Sequence, residues 1–238
     1  MTGEVIDRCK TGIPGFDELC QGGLIRNSGN VLVGGPGSGK TTFLLQFLWN
    51  GVNKFNENGL YCSFEPDIAE VAEDAKVHGW DLYKLNDEGK VKFVKFSPET
   101  SIREIKSELT KLVSKNDIKR ICFDPISVLA LSQNDEGKIR EMVFELSSLM
   151  KRLKVTTIFT DESMELDLGQ ARMSTDLSKT DIIQFLSDAV IFLYDTGIAG
   201  NADRSLRIRK MRRTNHVRQP VGMLINDSGI EVFNGQQE

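Results

Sequence analysis

The stretch Asn30-Val31-Leu32-Val33-Gly34-Gly35-Pro36-Gly37-Ser38-Gly39-Lys40-Thr41 decides the fold. A short run of strand character leads into residues 34–41, which match G-x-x-x-x-G-K-[ST], and a helical pattern opens at Lys40. Glycines let successive backbone N–H groups turn inward on phosphates, and the helix N-terminus adds partial positive charge beneath them. The motif predicts a nucleoside triphosphate site, with ATP and Mg²⁺ as ligands. Gly35, Pro36, Gly37, Ser38, Gly39, Lys40, Thr41 and Thr42 are the expected nucleotide-binding residues. Lys40 bridges the β- and γ-phosphates as a catalytic cation, and the Thr41 hydroxyl is a metal ligand. A glycine-rich strand-to-helix turn without ligand is the competing reading; the Lys, the Thr and the flanking elements together argue against it.

Outward from this unit, β-branched and aromatic runs alternate with longer stretches of helical period. That is the pattern of βαβ units around a mostly parallel sheet flanked by helices. Strands are predicted at 30–33, 60–64, 91–96, 120–124, 156–160 and 189–194, and helices at 40–54, 68–77, 102–114 and 139–153. Beyond Tyr194 the pattern changes to 204–211, 221–225 and 229–232, separated by turn residues and read as C-terminal antiparallel strands extending one edge. The polar stretch 164–180 shows no period and reads as a loop, and 236–238 as a frayed tail. A chain of 238 residues suits one compact domain spanning 1–238.

Net charge is −4, from 30 Lys and Arg against 34 Asp and Glu, which argues against a protein that coats nucleic acid. The window 204–218 nevertheless holds seven Lys or Arg and no Asp or Glu, so it carries +7 and the remainder −11. Apolar runs such as 189–194 are too short to cross a bilayer, and the first eight residues lack the basic flank and apolar stretch of a signal peptide. The cytoplasm is the expected compartment. Cys9, Cys20, Cys62 and Cys122 are widely spaced with no C-x-x-C pair, which argues against disulfides and zinc, and two histidines are too few for a histidine metal cluster.

Three further features bear on chemistry. Asp124 ends the run Ile121-Cys122-Phe123, where a carboxylate at a strand tip faces the ligand crevice of an α/β sheet and can hold Mg²⁺ through water; capping the turn into Pro125 is the alternative. Glu65 ends the run Leu60-Tyr61-Cys62-Ser63-Phe64 and could polarise an attacking water, yet Glu65-Pro66-Asp67 also resembles the start of a helix. The basic strand, with Arg207, Arg209, Lys210, Arg212 and Arg213, admits a solvated edge, contact with nucleic-acid phosphate, or fingers reaching a neighbouring subunit's triphosphate. Simple alternation sets Ile208 and Lys210 on one face and Arg207 and Arg209 on the other.

Taken together, Thr11-Gly12-Ile13-Pro14-Gly15-Phe16-Asp17-Glu18-Leu19, Gly22-Gly23-Leu24, the phosphate loop, Phe64-Glu65, the Asp124 strand and Arg209-Lys210-Met211-Arg212-Arg213-Thr214-Asn215-His216 resemble the KaiC domain of the RecA-like ATPases. Single-domain proteins of this kind are called KaiC-like ATPases or RadA paralogues. The resemblance spans nearly the whole chain and implies a RecA-like P-loop core with nucleotide lying between subunits of a homo-oligomer, commonly a hexameric ring. It implies that Glu65 is the general base, that Lys210 and Arg212 reach the neighbour's γ-phosphate, and that Thr214, His216 and Asp227 lie near the neighbour's sugar and base. Slow ATP hydrolysis regulating a partner or DNA recombination is the expected function. The alternatives are a single-stranded DNA-binding accessory protein and a signalling module that barely hydrolyses ATP.

The chain departs from the family pattern in three places. Pro66 replaces the second of two glutamates, Ile25-Arg26-Asn27 replaces Pro-Arg-Gly, and the stretch after His216 is short, which bears on Asp227. No second domain of the kind and no phosphoacceptor segment is recognisable, although Ser174 and Thr175 are candidates for phosphorylation, including autophosphorylation.

Overall fold

The computed structural model describes residues 6–131, 135–162, 183–184, 186–195 and 204–233. A short pairing of β1 (Arg8–Cys9) with β2 (Leu24–Ile25) brackets helix α1 (Phe16–Leu19). There follow β3 (Gly29–Gly34), α2 (Lys40–Phe55), β4 (Asn58–Ser63), α3 (Ile68–Val77), α4 (Leu82–Asp87), β5 (Val91–Lys95), α5 (Ile102–Asn116), β6 (Ile118–Asp124), α6 (Ser127–Leu131) and α7 (Glu136–Arg152). The chain continues through β7 (Thr156–Asp161), β8 (Ala189–Asp195), β9 (Arg204–Met211), β10 (Val221–Asn226) and β11 (Gly229–Phe233). Strands β3 to β11 form one sheet in the order β11-β10-β9-β8-β3-β7-β6-β4-β5. The strands from β8 to β5 in that order are parallel, and β9, β10 and β11 add antiparallel strands beyond β8. The expected mostly parallel sheet with an antiparallel edge is therefore found.

All of β3 is buried, as a strand covered on both faces must be. On one side α2, α3, α4 and the N-terminal segment pack around Phe16, Phe43, Leu44, Tyr61 and Ile191; on the other α5 and α7 pack around Val31, Leu109, Phe123, Leu146 and Phe159. Ser101 and Glu104 form a reciprocal capping box that starts α5. Helix α7 begins at Glu136 rather than 139, because the Asp135 carboxylate accepts from Gly137 and Lys138 N–H while Glu136-Gly137-Lys138 offers no apolar residue for a period to register. Helix α4 was not expected from the sequence; its six residues bury only Leu82 and Leu85, too few to set a period, and Asp81 caps it.

Beneath the starting ends of the central strands, Arg120 is completely buried. Its Nε donates to Glu57 Oε2 at 2.7 Å, Nη1 to the Phe47 carbonyl at 2.9 Å and Nη2 to the Lys10 carbonyl at 2.9 Å, and its guanidinium lies 4.5 Å from the Phe47 ring centre. Gly51 makes this room, since a Cβ there would press on the Arg120 side chain. Glu57 also binds Arg26 at 2.7 Å, and Arg26 reaches Asp7 at 3.1 Å. The Ile25-Arg26-Asn27 departure thus carries its own turn: Asn27 takes φ of 59°, a left-handed conformation Asn tolerates, and donates its N–H to Thr156 Oγ1. Gly15, in the N-terminal motif, has φ of 76° and passes so close to the Val232 carbonyl that a Cβ would overlap it.

Candidate nucleotide-binding site

Parallel register brings the C-terminal ends of β3, β7, β6 and β4 to one edge of the sheet. Val33 lies opposite Asp161, Phe123 opposite Phe159, and Ser63 opposite Asp124. Ligands of open α/β sheets bind at this edge. From it Gly34 leads through a tight turn in which Ser38 N–H bonds to the Gly35 carbonyl at 3.3 Å. Pro36 and Gly37, with φ of 75° at Gly37, occupy the two central positions, as a type II turn requires. Gly39, with φ of 97°, then starts α2.

The buried Lys40 ammonium donates to the carbonyls of Gly34 at 2.9 Å and Gly35 at 3.0 Å. Among the described residues Ser38 Oγ is buried inside the loop with no hydrogen-bond partner. Thr41 Oγ1 donates to Asp124 Oδ2 at 2.9 Å, so the hydroxyl and the carboxylate expected to share a metal are already in contact. Asp124 is buried and accepts two further bonds, from the Tyr61 hydroxyl to Oδ2 at 2.6 Å and from the Thr160 hydroxyl to Oδ1. Burial first, and the Asp124 charge second, push the Tyr61 phenol well above its ordinary value, so it stays a donor. The Thr41 hydroxyl and the Asp124 carboxylate are hard oxygen donors, the kind that holds Mg²⁺ together with phosphate and water rather than in an all-protein cage. No cluster of three or more His, Cys, Asp or Glu suited to a metal occurs among the described residues. Thr42 is half-buried in the first turn of α2.

Glu65 is exposed just past β4 on this same edge. The helix-start alternative passes to its neighbour, for Asp67 caps α3 by accepting from Ala69 N–H at 2.8 Å. A carboxylate the motifs did not single out lies closer to the lysine. Glu162, directly after β7, brings Oε1 to 3.8 Å from Lys40 Nζ. Tyr61, Thr160 and Glu162 have no motif of their own; only the position of their strand beside β3 or β6 could have pointed to them.

The basic strand differs from simple alternation. Val190 pairs with Lys210 and Ile191 with Ile208, so Arg209 is the extra residue of a β-bulge. The bulge returns Met211 to the Leu206 and Ile208 core face and sends Lys210 to the opposite side, where its ammonium bonds to the Ser187 carbonyl at 2.8 Å. Lys210 and Ile208 therefore do not share a face, which corrects the expected alternation. Burial, and after it the charge of Arg212, pull the Lys210 ammonium below its ordinary value, with Asp188 opposing.

Lys210 and Arg212 sit at the starting end of β8 and β3, because Ala189 pairs with Met211 and the Arg212 N–H bonds to the Asp188 carbonyl. The length of β3, from Gly29 to Gly34, separates this end from the chain's own phosphate loop, roughly 16 Å at strand rise. Thr214 and His216 follow at the same end, where Arg8 donates to Thr214 Oγ1 at 2.8 Å and Gln21 accepts from Asn215 N–H. Asp227 does not group with them in the fold. It lies in the β10–β11 turn on the phosphate-loop edge, two residues beyond Ile225, whose Cδ1 abuts Gly39. Arg204, at the other end of β9, reaches the Gly37 carbonyl at 3.2 Å and Asp195 at 3.2 Å. The stretch 164–180, with Ser174 and Thr175, lies outside the described residues.

The model of the KaiC ATPase family matches residues 9–237. The chain belongs to the KaiC ATPase family. It is 30% identical over 97% of its length to the circadian clock oscillator protein KaiC of Synechococcus elongatus, and 29% identical over 98% to that of a Nostoc species. The chain spans about 45% of the length of these curated relatives. A KaiC-like protein from the hyperthermophilic archaeon Pyrococcus horikoshii OT3 superposes with a TM-score of 0.82 at 32% identity, covering 96% of this chain and 100% of that one. The resemblance read from the motifs and the RecA-like fold are thereby established. Among the described residues no helix is long and apolar enough to cross a membrane.

Proposed function

We propose that the chain is a Mg²⁺-dependent ATPase whose site is completed by a second copy of itself in a ring, with nucleotide state governing assembly and, through it, a partner. The observation that carries this reading is the split of the functional residues between two opposite edges of one sheet. The phosphate loop, Thr41, Asp124 and Glu65 lie on one edge, and Lys210, Arg212, Thr214 and His216 on the other. Residues that far from their own phosphate loop can serve only a neighbour's nucleotide. Asp227, on the loop edge, is read as serving the chain's own.

In this scheme the N–H groups of 37–41 at the α2 N-terminus bind the phosphates, and Lys40 exchanges its two carbonyl partners for phosphate oxygens. Thr41 and Asp124 would hold a magnesium ion, which would supply positive charge to offset that of the phosphates. Glu65 accepts a proton from the attacking water, and Lys210 and Arg212 of the adjacent copy offset charge developing on the γ-phosphate. Sedimentation with and without Mg-ATP tests the reading. The wild type is expected to assemble with nucleotide, and Arg212→Ala to bind it while remaining smaller; equal assembly by both would refute the shared site.

A further inference from the structure

Glu162 has no place in the scheme above. It leaves β7, the strand lying between β3 with the phosphate loop and β6 with Asp124, so its carboxylate opens directly into the phosphate crevice. Glu65 emerges from β4, two strands further out. Lys40 is buried and Glu162 half exposed, and their 3.8 Å approach is the carboxylate contact of Lys40 among the described residues.

A γ-phosphate bridged by Lys40 occupies the space around this ammonium. Its oxygens then face Glu162 Oε1 as like charges across a crevice only partly screened by solvent. A diphosphate ends at the β-phosphate, held by loop N–H groups, and lets Lys40 keep its glutamate. From this geometry we infer that Glu162 sets the preference between di- and triphosphate: it stands in for the γ-phosphate at Lys40, leaves diphosphate binding nearly unaltered, and opposes a triphosphate, whose γ-phosphate must displace it. The inference rests on the nucleotide site proposed above and adds to it a specificity-determining residue.

Equilibrium binding reads the effect without any turnover. Titration calorimetry with ADP and with a non-hydrolysable triphosphate analogue, both with Mg²⁺, compares wild type with Glu162→Gln and Glu162→Ala. Both variants are expected to hold ADP within about twofold of wild type, which also reports an intact site, and to bind the analogue on the order of tenfold more tightly, the size of one partly screened charge contact. An unchanged ratio of the two affinities, or weaker analogue binding, overturns the inference and leaves the nucleotide site standing. A wild type that binds neither nucleotide overturns both.

Discussion

Asp124 shows how single residues set the site. Its two oxygens accept from Thr41, Tyr61 and Thr160, so the carboxylate is fixed in direction and surrounded by hydroxyl donors before any ligand arrives. Removing one donor leaves a buried acceptor underserved. Tyr61→Phe is expected to destabilise the protein by about 1–2 kcal/mol in urea denaturation and to weaken Mg-ATP binding by freeing the carboxylate to turn. The four cysteines are free and buried, and their thiols are held up by desolvation, Cys9 to about 11 and Cys20 to about 12. Thiolate chemistry at neutral pH is thereby suppressed at these two sulfurs.

At the scale of elements, the β9 bulge and the N-terminal hairpin act together. The bulge lets β9 give Met211 to the core and turn Lys210 to the other face within two residues, and Arg8 on β1 then grips the turn that follows. Arg8 donates to Thr214 Oγ1, to the Arg213 carbonyl and to the Gly23 carbonyl, tying the basic turn to the Gly22-Gly23 motif. The Arg8→Ala variant is expected to bind Mg-ATP like the wild type as a single subunit while its ATP-dependent assembly weakens several-fold. Sedimentation alongside calorimetry separates the two, and loss of nucleotide binding would contradict this division of labour. It also gives the N-terminal motif a physical task, since β1, Gln21 and Leu19 all contact 212–217.

Across the whole molecule, the Arg120–Glu57 contact joins the N-terminal segment, α2 and β6 beneath the sheet. Burial alone would raise the Glu57 carboxyl. The Arg120 charge and the hydrogen bonds from Arg26 and Arg120 outweigh it, and the carboxyl titrates below its ordinary 4.5. A depressed carboxylate stabilises the fold above its unfolded pKa, and that stabilisation is lost as pH falls through the folded value. Arg120→Met is expected to cost about 3 kcal/mol near neutral pH, because it strips a buried charge of its main partner. It should also flatten the decline of stability below pH 4.5 (the ordinary value) in denaturation curves taken across the acid range.

The alternation of apolar runs and the string from Gly34 to Thr41 were enough to read the parallel sheet, its antiparallel edge and the phosphate loop, since each depends on neighbours in the chain: strand period, helical period, and glycines where φ must be positive. The positions of Asp124 and Glu65 at the ends of apolar strands were legible for the same reason. Tyr61, Thr160 and Glu162 were not, because what brings them to the site is the lateral order of β3, β7, β6 and β4, and no local pattern encodes which strand lies beside which. The bulge at Arg209 and the separation of Asp227 from Lys210–His216 also belong to tertiary structure. A one-residue slip against β8 reverses every side chain beyond it, and the antiparallel return of β10 carries Asp227 back to the loop edge. The sequence by itself determined the phosphate-loop motif and the acids at strand ends, because these are local patterns, whereas only the folded sheet decided which residues share the loop edge and which lie at the opposite edge.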